Sequence, residues 1–125
     1  GGFSDAKPWL PVDAGHLGKS VQHQDDDPRS MLNHYRQLIH FRAQHRAFIN
    51  GSQSDMRARN GALSFTRSDV NETIHCVFNL SDIPCEIALP AGNWSRIGAE
   101  FTTARIADGK ITLDPWQSAF TKLEG

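Results

Sequence analysis

The sequence predicts a mainly β protein: an antiparallel β-sandwich of about eight short strands, preceded by a long loop and one α-helix. Three observations predict this fold. Residues 1–25 are rich in Pro, Gly and Asp and have no regular period. Residues 28–47 carry apolar side chains at spacings of three and four. After Gly51, short segments of β-type residues alternate with turn dipeptides.

The first 25 residues are predicted to form a long loop, because prolines and glycines interrupt every candidate helix or strand. A segment of this size without regular structure is typical of a lid, a binding loop or part of a larger assembly. The chain starts at Gly1 without a methionine, and Gly1 is not followed by the basic and apolar regions of a signal peptide. We therefore expect an internal piece of a longer protein.

A helix is predicted at about residues 28 to 47. Asp27 suits the N-cap and Pro28 the first helical position, while Asn50 and Gly51 follow the basic last turn. The acidic run at residues 25–27 is interpreted as charge that favours a helix N-terminus, in preference to a catalytic pair. The apolar stripe of the helix consists of Met31, Leu32, Tyr35, Leu38 and Ile39.

Eight strands are predicted in the second part of the chain. Asn60-Gly61 and Asp108-Gly109 mark tight turns, because both central residues of such a turn need positive φ. The third strand alternates between an apolar face and a mixed face. The predicted strands are 55–59, 63–67, 73–80, 85–89, 95–97, 105–106, 110–113 and 119–123.

The two cysteines are predicted to be free thiols. If the third and fourth strands form a hairpin, Leu80 faces Cys85 and Cys76 falls opposite Leu89. At about 3.3 Å per residue, the two cysteines are then much farther apart than the roughly 7 Å between Cα atoms that a disulfide allows.

Composition excludes two classes of partner. The chain has 125 residues, and its 13 Lys and Arg residues are interspersed with 14 Asp and Glu residues, so there is no basic stripe for nucleic acid. No apolar run approaches the roughly 20 residues that a membrane-spanning helix needs. We expect neither a nucleic-acid partner nor a membrane partner. The chain is also too short to form a complete (β/α)8 barrel enzyme, which has about 250 residues.

Several short segments match one enzyme family in the same order. These segments resemble the C-terminal portion of bacterial α-glucosidases of the oligo-1,6-glucosidase type, in the α-amylase superfamily. The resemblance implies that residues 1–50 are the tail of the catalytic barrel, a loop plus its last helix, and that residues 51–125 are a C-terminal antiparallel β-sandwich domain. The segments are 2–4 (GFS), 7–12 (KPWLPV), 27–30 (DPRS), 32–39 (LNHYRQLI), 77–81 (VFNLS), 89–92 (LPAG), 113–116 (LDPW) and 119–120 (AF).

The resemblance also implies where the chemistry lies. Retaining glycosidases use two carboxylates about 5 to 5.5 Å apart, and in this family they belong to barrel strands upstream of Gly1. We therefore expect no catalytic residue, metal ion or cofactor in this chain, which is inactive alone. The expected partner of this chain is the catalytic barrel of the longer parent protein. That parent is expected to be a cytoplasmic enzyme that hydrolyses α-glucosidic bonds of short oligosaccharides. Without that barrel, the helix stripe lacks its cover and the chain is expected to self-associate.

Three tryptophans are candidates for sugar contact. The resemblance places Trp9 in a segment over the barrel mouth, so Trp9 is the predicted substrate-binding residue, with loop anchoring as the alternative. Trp94 and Trp116 are expected to fill the sandwich ends or the seam with the barrel, with carbohydrate contact as the alternative. Two other functions remain open: an independent carbohydrate-binding module and a protein-interaction module.

The remaining polar candidates are interpreted as structural. His34, His40 and His45 lack the i, i+4 spacing of a metal pair on a helix. No Gly-x-Ser-x-Gly motif accompanies the serines, Ser30 and Ser64, considered as nucleophiles. Four Asn-x-Ser/Thr triplets are assigned to turn chemistry, at Asn50, Asn71, Asn79 and Asn93.

Overall fold

The computed structural model describes residues 5–125, so the GFS segment lies outside the described residues. The chain divides into two compact units, one ending at His40 and the other comprising Phe41–Gly125. Within residues 5–125 the fold is mainly β, with eight strands in two antiparallel sheets, which confirms the predicted class.

The predicted loop at residues 1–25 contains two short helices, α1 (Ala14–Leu17) and α2 (Val21–Asp25), so the expectation of a structureless segment was wrong there. Each helix is capped by a local side chain. Asp13 accepts the Gly15 N–H at 2.8 Å, and Ser20 accepts the His23 N–H at 3.3 Å. A helix of four or five residues is too short to show periodicity in the sequence.

Helix α3 (Met31–Gln44) starts three residues later than predicted because Ser30, not Asp27, caps it. The Ser30 hydroxyl accepts the Asn33 N–H at 3.2 Å and donates to the Gln24 carbonyl at 2.7 Å. The acidic run has a structural role: Asp25 pairs with Arg36, and Asp27 accepts the Arg29 N–H. The helical segment then breaks at His45, which is extended, and resumes as α4 (Arg46–Ile49).

The strands lie close to their predicted positions. The five-stranded sheet has the order β1-β2-β3-β8-β5, and the three-stranded sheet has the order β4-β7-β6. Asn60, Gly61, Asp108 and Gly109 all have positive φ, as the two turn dipeptides predicted. The strands are β1 (Ser52–Arg59), β2 (Ala62–Ser68), β3 (Thr73–Asn79), β4 (Cys85–Ala88), β5 (Trp94–Ile97), β6 (Arg105–Ala107), β7 (Lys110–Leu113) and β8 (Ser118–Leu123).

The predicted hairpin between β3 and β4 does not form. β3 pairs with β2 and β8, whereas β4 pairs with β7 in the other sheet. The buried Asn79 amide stabilises this crossing by donating to the Ile83 carbonyl at 2.8 Å and the Asp114 carbonyl at 3.0 Å. Cys76 and Cys85 are free thiols as predicted, although they lie in different sheets.

Two apolar layers cover the five-stranded sheet. Between the sheets, Val77 belongs to a buried cluster with Ala104, Ile111, Leu113 and Ala119. The opposite face is covered by the aromatic rings of Phe41, Phe48, Phe101 and Phe120. Because β3 is the central strand of the five-stranded sheet, both of its faces are buried. The sequence pattern, with one apolar face and one mixed face, did not predict burial of the mixed face.

Candidate functional site

An exposed apolar stripe runs along α3. Met31, Tyr35 and Ile39 repeat every fourth residue, and 66%, 60% and 65% of their surfaces are exposed. Large apolar side chains aligned on one helical face mark a surface that another element covers. We call these three residues the α3 stripe.

Trp9, the predicted substrate-binding residue, is 92% exposed in a segment without regular secondary structure. Leu10 and Val12 of the same segment are also exposed. The indole of Trp9 therefore has both faces available for a ligand or for another protein surface.

Trp116 and Trp94 have different surroundings. Trp116 lies in the turn between β7 and β8 with a φ of 63° and is 70% exposed. This exposure contradicts its expected role in filling a sandwich end. The predicted place at the barrel seam and the alternative of carbohydrate contact both stay open. Trp94 is half-buried, and its indole N–H donates to the Pro90 carbonyl at 2.9 Å. The ring of Trp94 lies 5.9 Å from the imidazole of His75.

His45 joins the end of α3 to the turn before β3. Its Nδ1 donates to Glu72 Oε2 at 3.0 Å, and Glu72 Oε1 accepts the Ala47 N–H, also at 3.0 Å. Burial raises the pKa of Glu72, but the hydrogen bonds from His45 and Ala47 outweigh burial and hold that pKa below its ordinary value of 4.5. This histidine is structural, in agreement with the sequence interpretation.

We expect Glu72→Ala to lower the free energy of unfolding by about 2 kcal/mol at neutral pH, because it leaves the Ala47 N–H and His45 without their acceptor. Since the folded-state pKa is depressed, the contribution is present above the ordinary pKa and is lost as pH falls through the folded value. Urea unfolding at a series of pH values checks this. The difference between Glu72→Ala and the unmodified chain should shrink as the pH falls below the ordinary pKa of 4.5. Glu100→Ala, at an exposed position, should show no difference from the unmodified chain.

A cleft of about 710 Å³, lined by both polar and apolar side chains, opens between the two sheets, bounded by β1, β2 and β3 on one side and by β4 on the other. Ser64 and Thr66 of β2 and His75 of β3 line the same wall. His75 pairs with Thr66 in the strand register, and His75 Nδ1 is hydrogen-bonded to Thr66 Oγ1 at 3.1 Å. Trp94, Ile87 and Leu89 add apolar surface.

Only 4% of the His75 surface is exposed. Desolvation has the largest effect on the pKa of His75 and lowers it. The nearby Asp55 raises this pKa and Arg57 lowers it, both by smaller amounts. The imidazole is therefore neutral near pH 7. Among residues 5–125, the buried His75 Nε2 has no hydrogen-bond partner, and neither has the buried hydroxyl of Thr121, the residue directly opposite His75 on β8.

The sequence interpretation missed this cleft. Ser64, considered as a nucleophile, lines it, but the histidine there bonds to Thr66. The available signal was the repetition of small or hydroxyl residues at every second position of β2, from Ala62 to Ser68, on the face that an ordinary sandwich fills with aliphatic side chains. Within residues 5–125, no group of three or more His, Cys, Asp and Glu side chains is arranged to hold a metal ion. No helix in that range is long and apolar enough to cross a membrane.

Comparisons with known proteins agree with the resemblance. Residues 1–51 match the family model for the α-amylase catalytic domain. A probable α-glucosidase of Rhizobium meliloti (strain 1021) is 35% identical over 123 residues, which cover 98% of this chain and 22% of that protein. An oligo-1,6-glucosidase of Halalkalibacterium halodurans is 38% identical over 52 residues, 42% of this chain and 9% of the relative.

A solved structure shows the same fold. The α-glucosyl transfer enzyme XgtA superposes with a TM-score of 0.83 at 30% identity, over 94% of this chain and 22% of that one. The chain thus spans less than a quarter of the length of these relatives, which is consistent with the C-terminal portion predicted from the sequence. The segment order, the eight-stranded fold and these matches show that the chain belongs to the α-amylase family, as a portion related to α-glucosidases of the oligo-1,6-glucosidase type.

Proposed function

We propose that the chain is the C-terminal portion of an α-glucosidase, in which residues 1–50 complete the catalytic barrel and residues 51–125 form a sandwich domain that stabilises it. The observation that carries this proposal is the match over 98% of the chain to a probable α-glucosidase, with the catalytic-domain model covering residues 1–51. The parent enzyme hydrolyses α-glucosidic bonds of short oligosaccharides with retention. Its location is the cytoplasm, a proposal supported by the two unpaired cysteines.

The α3 stripe supports a barrel as the partner. Met31, Tyr35 and Ile39 leave a continuous apolar face in water, and burying apolar surface gains about 25 cal/mol per Å². A helix that closes a (β/α)8 barrel presents such a face to the strands. In the isolated chain, the same stripe is free to pair with a second copy, which is the proposed basis for self-association.

Trp9 is the residue through which this chain contacts the oligosaccharide substrate of the parent. Its exposed indole supports this assignment, because aromatic faces stack on the apolar faces of sugar rings. In (β/α)8 enzymes, the loops that follow the strands form the C-terminal face of the barrel, and substrates bind there. The resemblance places the Trp9 segment over this face.

The test is an assay of the isolated chain with p-nitrophenyl α-glucoside and maltose. We expect no turnover above buffer, because a retaining glycosidase needs a pair of carboxylates that the proposal assigns to the barrel. Asp25→Asn and Glu72→Gln serve as controls for trace activity. Turnover that disappears with a substitution in this chain would show that the chain carries its own catalytic group and would overturn the proposal.

A further inference from the structure

Within residues 5–125, β1 is the longest free edge of the sandwich. The edge strands are β1 and β5 in the five-stranded sheet and β4 and β6 in the other. β4 and β5 have four residues each and β6 has three, whereas β1 has eight. All eight residues of β1 are exposed, and the strand pairs with β2 alone. The outer N–H and C=O groups of such a strand are available to pair with another chain.

A β-bulge interrupts β1 near its middle. The register with β2 shifts between Ser54 and Arg57. The two residues in between, Asp55 and Met56, together oppose the single residue Phe65. Asp55 has a φ of 52°, the only positive φ inside the described strands, and its carboxylate accepts the Ser54 hydroxyl at 3.0 Å. Because a bulge bends and twists its strand, the outer groups of β1 do not form one straight row.

The pairing of β1 with β2 does not require the bulge. Without Asp55, Met56 would lie opposite Phe65, and all six existing pairs on the two sides of the bulge would keep their partners. Ser54 and Arg57, which both line the cleft, would then stand two positions apart on one face, as in a regular strand. The register with β2 therefore does not explain the extra residue.

A straight β1 would be complementary to β1 of a second copy. In an antiparallel pairing centred on Met56, Arg57 lies opposite Ser54 of the second copy. Arg59 lies opposite Ser52 in the same pairing. No two arginines are then directly opposite each other, an arrangement that would be destabilising. Met56, which is 61% exposed, meets its own equivalent at the centre.

We propose that the bulge at Asp55 and Met56 keeps the β1 edge from pairing with a second copy of this chain. When the bulge is removed, two copies join their five-stranded sheets through β1. This device belongs to the sandwich alone. It is independent of the α3 stripe and of the role proposed for the chain within a larger enzyme.

The experiment compares chains with and without the extra residue by sedimentation velocity over a range of concentrations. All chains carry Met31→Asp and Ile39→Asp, so that pairing through the α3 stripe does not contribute. We expect deletion of Asp55 to strengthen self-association at least about tenfold. Asp55→Gly is the matched control and should leave self-association unchanged. It removes the same charge but keeps the bulge, because glycine readily adopts positive φ.

A cross-link tests the register, and a thermal melt checks that each chain is folded. In the chain without Asp55, Met56→Cys places two thiols directly opposite each other, within reach of a disulfide. Gln53→Cys, at another exposed position of β1, lies opposite Ala58 in this register and should not cross-link. Deletion of Met56 in place of Asp55 gives the same straight strand and should also strengthen self-association.

Three results would overturn the proposal. The first is a folded deletion chain that associates no more strongly than Asp55→Gly. The second is cross-linking through Gln53→Cys and not through Met56→Cys. The third is loss of the fold in both deletion chains, because the bulge would then be required for folding rather than for protection of the edge.

Discussion

Phe41→Ala is expected to lower the free energy of unfolding by about 3 to 5 kcal/mol, a large share of the margin of a small domain. Phe41 is 5% exposed, and its ring centroid lies 5.5 Å from that of Phe48, 5.3 Å from Phe101 and 5.2 Å from Phe120. Truncation removes one ring from the centre of this aromatic layer and leaves a cavity that the rigid sheet cannot close.

The close approach of Gly98 makes collapse of this cavity harder. Gly98 has a φ of +55°, and a Cβ at that position would lie 2.7 Å from the Phe41 ring, so the backbone itself forms one wall. Urea unfolding followed by circular dichroism measures the effect, and Val70→Ala, at a residue that is 97% exposed, is the control. A loss below about 1 kcal/mol for Phe41→Ala would mean that the aromatic layer is not the core that the structure describes.

The second large effect concerns the α3 stripe. When the chain is co-expressed with the remaining barrel portion of the Rhizobium meliloti relative, we expect the two pieces to form a complex. The double substitution Met31→Asp and Ile39→Asp should weaken that complex roughly 100-fold or more, because two carboxylates then replace apolar side chains at the centre of an interface. Val70→Asp adds a charge at a similarly exposed position outside the stripe and should leave the affinity unchanged. Equal affinity for the double variant and the unmodified chain would exclude the stripe as the docking surface.

Much of this fold follows from local patterns in the sequence. Asn60-Gly61 and Asp108-Gly109 specify their turns through the positive φ that both residues adopt, so the flanking strands were predictable. The connection after β3 was not predictable, because a five-residue link with a proline is compatible with a hairpin or with a crossing between sheets. The choice depends on the Asn79 amide, one of whose acceptors, the Asp114 carbonyl, comes from a distant part of the chain.

The cleft could not be predicted for a similar reason. His75 and Trp94 line it together only because β8 pairs with both β3 and β5, and the order of strands along the chain does not reveal these pairings. The α3 stripe was predictable because helical spacing alone aligns its residues. The resemblance predicted that this stripe lacks its cover without the barrel, and the structure leaves Met31, Tyr35 and Ile39 largely uncovered.

We propose that this chain completes and stabilises a catalytic barrel located elsewhere in the parent protein. The most direct test is the rate of p-nitrophenyl α-glucoside hydrolysis by the barrel portion of the Rhizobium meliloti relative, produced with and without this chain. We expect little or no activity for either piece alone, and recovered hydrolysis when both are present. The recovered hydrolysis should be lost again with the chain that carries Met31→Asp and Ile39→Asp. Full activity of the barrel portion alone, unchanged by adding this chain, would contradict the proposed role.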